Sequence, residues 1–264
     1  MKKYRELTKI GAKIALAYKF DFIVSIFTVP ISIIVFYFLW KTIYAYSGLD
    51  VIRGYTFEEM VNYFIMSMVI ALLGWSNIER VIEYDVLYGE MVLRLLSPVT
   101  YLASLFYTEM GLKAMSLLVE ATPIFLIGIV FFKAKVFSIL NLILYAIAVL
   151  FSIGLVFLIS FLIGLSSFWL KRISGISRSK KLFLSFLGGG FVPLTFFPKI
   201  FQQISEWLPF QYIRYVPINI YLGKYSTFLA LEMIGRQIIW IILLYIIAKI
   251  LWNRAIRKFC GVGV

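Results

Sequence analysis

The residues best suited to chemistry are four polar side chains that interrupt an apolar stretch: Glu109, Lys113, Ser116 and Glu120. Their spacing places all four on one stripe of an α-helix, because successive helical residues are rotated by about 100°. Ionised groups inside a membrane are costly and normally face a protein interior or a water-filled cavity. The stripe is therefore a candidate site for charge pairing or ion coupling.

Glu120 is the isolated member of this intramembrane polar stripe. Glu109 and Lys113 stand in the i,i+4 order that favours an ion pair, so they can neutralise each other. Glu120 precedes a charge-free run that ends at Phe132, about 18 Å further along a helix, which places it near the middle of a span. Three roles remain open for Glu120: a lock between helices, a contact between subunits, or a lining group of a substrate path.

Several kinds of site are excluded by composition. The chain has no His and a single Cys, Cys260, which rules out histidine triads, histidine metal sites, disulfides within the chain and thiolate zinc clusters. The sequence also lacks the GxxxxGK[ST] loop that binds nucleotide phosphates. We therefore expect no enzymatic activity, metal or cofactor in this chain, and any ATP must be bound by another protein.

The elements that position these residues are membrane helices. Hydrophobic residues make up 62% of the 264 residues, and the mean hydropathy is +0.94, well above that of a water-soluble domain. The chain carries 26 Lys and Arg against 13 Asp and Glu, a net charge of +13 that suits an anionic lipid surface. We expect the basic residues to contact membrane lipids and not nucleic acid.

The hydropathy pattern predicts an all-α integral membrane protein with a single transmembrane domain over residues 1–264. A membrane helix needs about 20 apolar residues to cross a bilayer core of about 30 Å. Six transmembrane spans are predicted: Phe22–Trp40, Met60–Trp75, about Leu102–Phe132, about Val136–Leu170, a fifth that begins at Leu182, and about Ile238–Leu251.

Lys and Arg decide the predicted orientation, since they concentrate on the cytoplasmic flanks of membrane spans. The flanks on the side of the N-terminus carry most of them, so both termini are predicted to lie in the cytoplasm. The leader, residues 1–19, is predicted to be an amphipathic helix on the membrane surface, with a solvated charged leader as the alternative. Its apolar positions recur at helical spacing opposite the basic ones: Tyr4, Leu7, Gly11, Ile14 and Tyr18.

The predicted cytoplasmic stretch of residues 77–98 is unusual because acids outnumber basic residues on a side where Lys and Arg normally prevail. Its charged residues are Glu79, Arg80, Glu83, Asp85, Glu90 and Arg94. The apolar residues between them and the closing Pro98 predict one or two short helices at the membrane surface. Such an element could dock a cytoplasmic partner, whereas a solvated connector would only neutralise nearby Lys and Arg.

A second irregular region follows the start of the fifth span. We interpret residues 188–223 as a broken, partly re-entrant outer element between spans five and six, and a surface loop with an interfacial aromatic belt is the alternative. Non-helical backbone at membrane depth needs protein or water to satisfy its polar groups, so this element is expected to border a transport route. Its interrupting residues are Gly188, Gly189, Gly190, Pro193, Pro198, Pro209 and Pro217.

In their order along the chain, these features resemble the permease subunits of type-2 ABC exporters, in particular the six-span bacterial permeases linked to drug export. The resemblance includes the basic leader, the acidic loop and the outer element. Its short motifs are Gly89-Glu90 leading to Leu95-Leu96-Ser97-Pro98, Pro193-Leu194 through Phe197-Pro198, Leu208-Pro209-Phe210, Pro217, Leu222-Gly223 and the closing Gly261-Val262-Gly263.

The resemblance implies a multi-pass subunit of the plasma membrane that exports an amphipathic or hydrophobic compound, as multidrug permeases do. It implies a dimer with itself or with a related permease, above two cytoplasmic ATPase subunits that bind ATP and Mg²⁺. The glycines and prolines of residues 188–223 would form the outer gate. Residues 77–98 would couple the permease to the ATPase, with these site residues: Glu79, Glu83, Asp85, Gly89, Glu90, Arg94 and Pro98.

Two other classes of function remain open from the residues alone. A secondary transporter or channel could use Glu109, Lys113 and Glu120 for ion coupling, although no inverted repeat is visible in the sequence. A membrane-embedded enzyme acting on lipid would need a catalytic cluster that the sequence does not contain.

Overall fold

The computed structural model describes residues 2–17, 19–132, 138–170 and 172–260. Tyr18, the predicted start of the fourth span at Val136 and the closing Gly261-Val262-Gly263 lie outside the described residues. The described chain is almost entirely helical, as the hydropathy pattern predicts. Its sheet is a short antiparallel hairpin of β1 (Val51–Ile52) and β2 (Tyr55–Thr56).

The described residues form twelve α-helices, and a π-helical turn at Leu117–Ala121 joins the sixth to the seventh. The bounds of the helices are α1 Lys2–Ala17, α2 Lys19–Ser47, α3 Phe57–Leu73, α4 Ile78–Leu87, α5 Glu90–Leu95, α6 Tyr101–Ser116, α7 Thr122–Phe132, α8 Ile139–Leu165, α9 Ser174–Phe186, α10 Lys199–Glu206, α11 Tyr215–Tyr221 and α12 Thr227–Cys260.

Five helical stretches of the described residues are long and apolar enough to cross a membrane, and they correspond to the first four predicted spans and the last. The all-α membrane architecture is thereby confirmed. These stretches are Phe27–Ser47, Phe57–Leu87, Tyr101–Phe132, Ile139–Phe168 and Thr227–Phe259. The second of them includes the bend between α3 and α4.

The predicted fifth span is not a full-length helix. Its helix, α9, has 13 residues and ends just before Gly188. A helix of that length measures about 20 Å, which is shorter than the bilayer core of about 30 Å. Six complete spans therefore stay a prediction. α2 and α12 run further than predicted, to Ser47 and from Thr227, because polar helix ends continue beyond the apolar run that defined each span.

The leader helix α1 is present and packs along α6. Gly11 faces the backbone of Thr108, and Gly111 faces the backbone of Thr8, so a side chain at either glycine would overlap the other helix. Close helix crossings through small residues are common in membrane proteins. The basic side chains of α1 are exposed, and the predicted contact of α1 with the membrane surface stays a prediction.

The long helix α8 lies at the centre of the bundle, where it packs against α4, α11 and α12. Two apolar cores form beside it. One core contains Phe157 and Phe161 of α8, and the other contains Ile65 and Met66 of α3 with Ile124 of α7. α8 therefore connects the region around α4 to the region around α11.

Candidate functional site

The two short helices predicted around the acidic loop are present as α4 and α5, but most of their acids point into the protein. Glu79 is fully buried, and Asp85 is 1% exposed. Glu83 is partly buried and accepts a hydrogen bond from the backbone N–H of Ile173 at 2.8 Å. Glu90 is exposed. The charge pattern suggests an acidic surface, whereas in the structure Glu79, Glu83 and Asp85 hold α4 on the bundle.

Glu79 joins three helices through one buried ion pair. Its Oε1 lies 2.7 Å from Nζ of Lys180, on α9, and accepts a hydrogen bond from the Ser177 hydroxyl at 2.8 Å. The Lys180 ammonium also donates to the Ser76 carbonyl and to the Ser160 hydroxyl of α8, both at 2.9 Å. Because buried charges need such partners, this network fixes α4 against α8 and α9.

Asp85 links α4 to the two helices that follow it. The Tyr101 hydroxyl, at the start of α6, donates to Asp85 Oδ2 at 2.7 Å, and Arg94 Nε lies 3.4 Å from the same oxygen. Gly89 makes the turn between α4 and α5 with a φ of 77°, and Pro98 is exposed beyond α5. The predicted coupling residues therefore fall into a buried bracing group and an exposed turn.

The outward surface of α4 and α5 is apolar and aromatic. We define the apolar patch as Tyr84, Tyr88, Leu93 and Leu96, with exposures of 54%, 70%, 65% and 78%. The rings of Tyr84 and Tyr88 are 4.5 Å apart. An open groove of about 340 Å³ lies beside Tyr84, and most of its lining is polar or charged: Asn77, Arg80, Asp85, Glu90 and Arg94. Large exposed apolar side chains of this kind are typical of interaction sites in proteins.

The sequence analysis did not single out this patch, although helical spacing could have found it. Glu79, Ile82 and Val86 share one face of α4, because they are separated by three and four residues. Tyr84 and Tyr88 share the opposite face by the same rule. Grouping residues by charge hid this division, whereas grouping them by helical face separates the buried Glu79 from the exposed rings.

The polar stripe is only partly assembled as predicted. Glu109 and Lys113 form the expected i,i+4 ion pair, with 3.1 Å between Nζ and Oε1, and both are buried. Ser116 is partly buried at the end of α6. Glu120 lies in the π-helical turn that begins directly after Ser116, outside α6.

Glu120 is 8% exposed within this π-helical turn, which packs against α2 and α3. The Leu117 carbonyl accepts both the backbone N–H and the hydroxyl of Thr122, the latter at 2.7 Å, so one residue closes the widened turn twice. A π turn shifts the register of the residues after it, so Glu120 does not simply continue the line of Glu109 and Lys113. Such turns often occur at functional sites, and all three roles considered for Glu120 stay predictions.

The three glycines after α9 form a turn held by neighbouring helices. The Tyr63 hydroxyl of α3 donates to the Gly189 carbonyl at 2.6 Å, and the Ser67 hydroxyl donates to the Gly190 carbonyl at 2.9 Å. The backbone N–H of Tyr215 donates to the Gly188 carbonyl at 3.0 Å. All three carbonyls are thus satisfied by protein, which is the condition for non-helical backbone in a membrane.

The four prolines of residues 188–223 stand where short helical pieces begin. Pro193 precedes the 3₁₀ turn Leu194–Phe196, Pro198 directly precedes α10, and Pro209 opens a further 3₁₀ turn. Pro217 lies in the first turn of α11, where a missing N–H is tolerated. The predicted break in the helix is confirmed, and its membrane depth stays a prediction.

The hairpin before α3 anchors this broken segment. The Tyr55 hydroxyl donates to Asn219 Oδ1 at 2.6 Å, and Lys224 donates to the Gly54 carbonyl at 3.0 Å. Phe196 packs edge-on against Trp40, with ring centroids 5.3 Å apart. Burial raises the pKa of the Tyr55 phenol well above its ordinary value, so this group stays a neutral donor.

Replacing Tyr55 by Phe is expected to lower the free energy of unfolding by about 1–3 kcal/mol, because Asn219 Oδ1 then remains buried without its donor. The measurement is thermal unfolding of the full chain in detergent. Tyr46→Phe is the matched control, since Tyr46 is 90% exposed. Equal unfolding temperatures for the two variants would show that the Tyr55 contact does not stabilise the fold.

Comparison with known protein families identifies a match over most of the chain. The sequence profile of a family described as ABC-2 family transporter protein matches residues 23–263. No curated protein and no solved structure matches the chain. The matched region contains α4, α5 and the whole broken segment, so both candidate functional elements lie within it.

Proposed function

Since the chain belongs to the ABC-2 family of transporter proteins, we propose that it exports an amphipathic or hydrophobic compound as a permease powered by a separate ATPase. The family makes it a multi-pass membrane subunit of an ABC transporter with an ATPase partner, and its role is transport, not catalysis. The observation that carries the coupling mechanism is α4 itself, which combines an outward apolar patch with buried ionic links to the bundle.

We assign the ATPase contact to the apolar patch. Apolar and aromatic side chains at the centre of an interface supply most of its binding energy when they fill pockets on a partner. Here the exposed rings of Tyr84 and Tyr88 and the leucines after them would enter the ATPase surface. This assignment modifies the acidic docking that the charge pattern suggests, because Glu79 and Asp85 are not accessible to a partner.

The buried acids would transmit motion from this contact to the bundle. Glu79 connects α4 to α9 through Lys180, and Glu83 holds the backbone N–H of Ile173 just before α9. A displacement of α4 would therefore move α9 and the glycine turn at its end. ATP and Mg²⁺ bound by two ATPase subunits would bias a permease dimer between a closed and a releasing state.

The broken segment, residues 188–223, is proposed as the outer gate. Near its start, Gly189 contacts Tyr63 in the middle of α3. Near its end, Asn219 contacts Tyr55 in the hairpin that precedes α3. α4 follows the other end of α3. If α4 lies in the cytoplasm, as the distribution of Lys and Arg predicts, the segment lies toward the cell exterior and re-enters the membrane.

The remaining features of the proposal follow from the same topology. Both termini would be cytoplasmic, the membrane would be the plasma membrane, and the dimer partner would be a second copy or a related permease. Drug-like amphipathic molecules are the proposed cargo. Secondary transport is less well supported, because Glu109 and Lys113 already neutralise each other and the family couples transport to an ATPase.

The first test is the genomic neighbourhood together with complex formation. We expect a reading frame for an ATPase with a phosphate-binding loop beside this one, and co-expression should yield a stable complex that hydrolyses ATP. Leu96→Glu should lower the yield of the complex by about tenfold or more, since it places an unpaired charge in an apolar interface. Tyr46→Glu is the control, because Tyr46 is even more exposed than Leu96 but lies at the C-terminal end of α2.

The outcomes separate the two parts of the proposal. An unchanged yield with Leu96→Glu would reject the apolar patch as the ATPase contact. ATP hydrolysis by the purified chain alone, or transport without any ATPase, would reject the powered permease itself.

A further inference from the structure

A small cavity between α3, α8 and α9 is lined by three basic side chains and by no acid. Its volume is about 60 Å³, and its basic residues are Lys180, Lys181 and Arg214. Trp75 and Ser185 are among its other lining residues. The cavity therefore concentrates positive charge inside a largely apolar bundle.

Only one of the three cations is balanced by a carboxylate. Lys180 pairs with Glu79 at 2.7 Å. Lys181 lies over the Trp75 ring, with Nζ 3.7 Å from the centroid. Within the described part of the chain, neither Lys181 nor Arg214 forms an ion pair with an acid. The cavity thus has two positive charges without a counter-charge.

Arg214 reaches this cavity because the broken segment turns back toward α9. The Tyr215 N–H donates to the Gly188 carbonyl, and the Arg214 guanidinium lies directly against Gly190, where a side chain would overlap it. Arg214 is partly buried, and its guanidinium makes no hydrogen bond to the described residues. A partly buried guanidinium without an acceptor in the protein is stabilised by a ligand that supplies one.

We propose that this cavity binds the anionic headgroup, a phosphate or a carboxylate, of an amphipathic molecule. A guanidinium presents a planar fork of donors that matches oxyanions, and an adjacent ammonium adds a second cationic donor. Liquid water occupies about 30 Å³ per molecule, so the cavity has room for a headgroup but not for a whole amphiphile. The apolar part of the ligand would extend out of the cavity past Trp75, which is 52% exposed.

The headgroup belongs either to the transported compound or to an anionic lipid of the bilayer, and the same chemistry recognises both. The assignment as cargo rests on the proposed function. The binding itself does not, because all of the charged groups belong to this chain.

The test measures binding of dodecyl phosphate to the full chain in a non-ionic detergent by equilibrium dialysis. Dodecylphosphocholine has the same chain with a zwitterionic headgroup and should bind about tenfold more weakly or worse, and inorganic phosphate should not compete. Arg214→Gln and, independently, Lys181→Gln should each weaken binding of dodecyl phosphate by about tenfold. Arg178→Gln is the control, since Arg178 is exposed on α9 and does not line the cavity.

Equal affinity for the phosphate and the phosphocholine, or unchanged affinity in both the Arg214 and Lys181 variants, would overturn the proposal. If inorganic phosphate displaces bound dodecyl phosphate as effectively as free dodecyl phosphate does, the site does not require an amphipathic ligand, and that part of the proposal is wrong. In the ATPase complex, stimulation of hydrolysis by dodecyl phosphate supports binding as cargo, whereas binding without stimulation supports a bound lipid. Failure to obtain the ATPase complex counts against the proposed function and leaves the dialysis result intact.

Discussion

Replacement of Lys180 by Met is expected to lower the free energy of unfolding of the full chain by about 3–5 kcal/mol. The substitution leaves the fully buried Glu79 carboxylate with the Ser177 hydroxyl as its remaining hydrogen-bond partner among the described residues. An uncompensated buried charge costs much more than a buried pair, because nothing replaces the lost hydration. The measurement is denaturant unfolding in mixed micelles, followed by tryptophan fluorescence.

Two further variants separate charge loss from general damage to α9. Arg178→Met changes an exposed residue of the same helix and should alter stability by less than about 0.5 kcal/mol. The double variant Glu79→Leu with Lys180→Met removes both charges and should recover most of the loss. If the double variant is as unstable as Lys180→Met alone, the interpretation of a bracing ion pair between α4 and α9 is wrong.

The second large effect is expected at the glycine turn after α9, where Gly189→Ala should destabilise the chain by about 2–4 kcal/mol. Two costs add at this position. Gly189 has a φ of 70°, which L side chains rarely adopt, and an added Cβ would lie 2.9 Å from the Tyr63 hydroxyl and 3.2 Å from Cβ of Tyr215. The variant should also lower transport, because it displaces the start of the proposed gate.

Gly175→Ala is the matched control for this substitution. Gly175 lies at the start of α9, and an added Cβ there would meet no atom within 4 Å. Its replacement should be neutral or should stabilise the helix by about 0.5–1 kcal/mol. A similar unfolding temperature for both alanine variants would contradict the strained, closely packed turn at Gly189.

Much of the architecture could be predicted because it depends on local pattern. Long apolar runs determined the membrane helices, and the Glu109–Lys113 pair followed from spacing along one helix. The prolines and glycines after Phe186 correctly predicted a broken segment, since both residue types interrupt helices by their own backbone chemistry. The shift at Glu120 could not be predicted in this way, because a π turn depends on the packing of its neighbours.

The candidate site was only half predictable for the same reason. The unusual charge of residues 77–98 predicted a docking element, and its role in coupling stays a proposal, but the charge pattern did not show that Glu79 and Asp85 are buried. That burial depends on Lys180 and Tyr101, which come from other helices. Those partners turn the acids inward and leave Tyr84, Tyr88, Leu93 and Leu96 on the outward side.

By itself, the amino-acid sequence determined that this chain enters a membrane, where the helical run after α9 breaks, and that it contains no nucleotide-binding loop of its own. Tertiary structure alone decided which face of α4 points outward and that Arg214 joins Lys180 and Lys181 around one cavity. Hydrophobicity and backbone preference act over neighbouring residues, so a sequence displays them directly. The rotation of a helix about its axis and the meeting of distant cations depend on contacts between segments far apart in the chain.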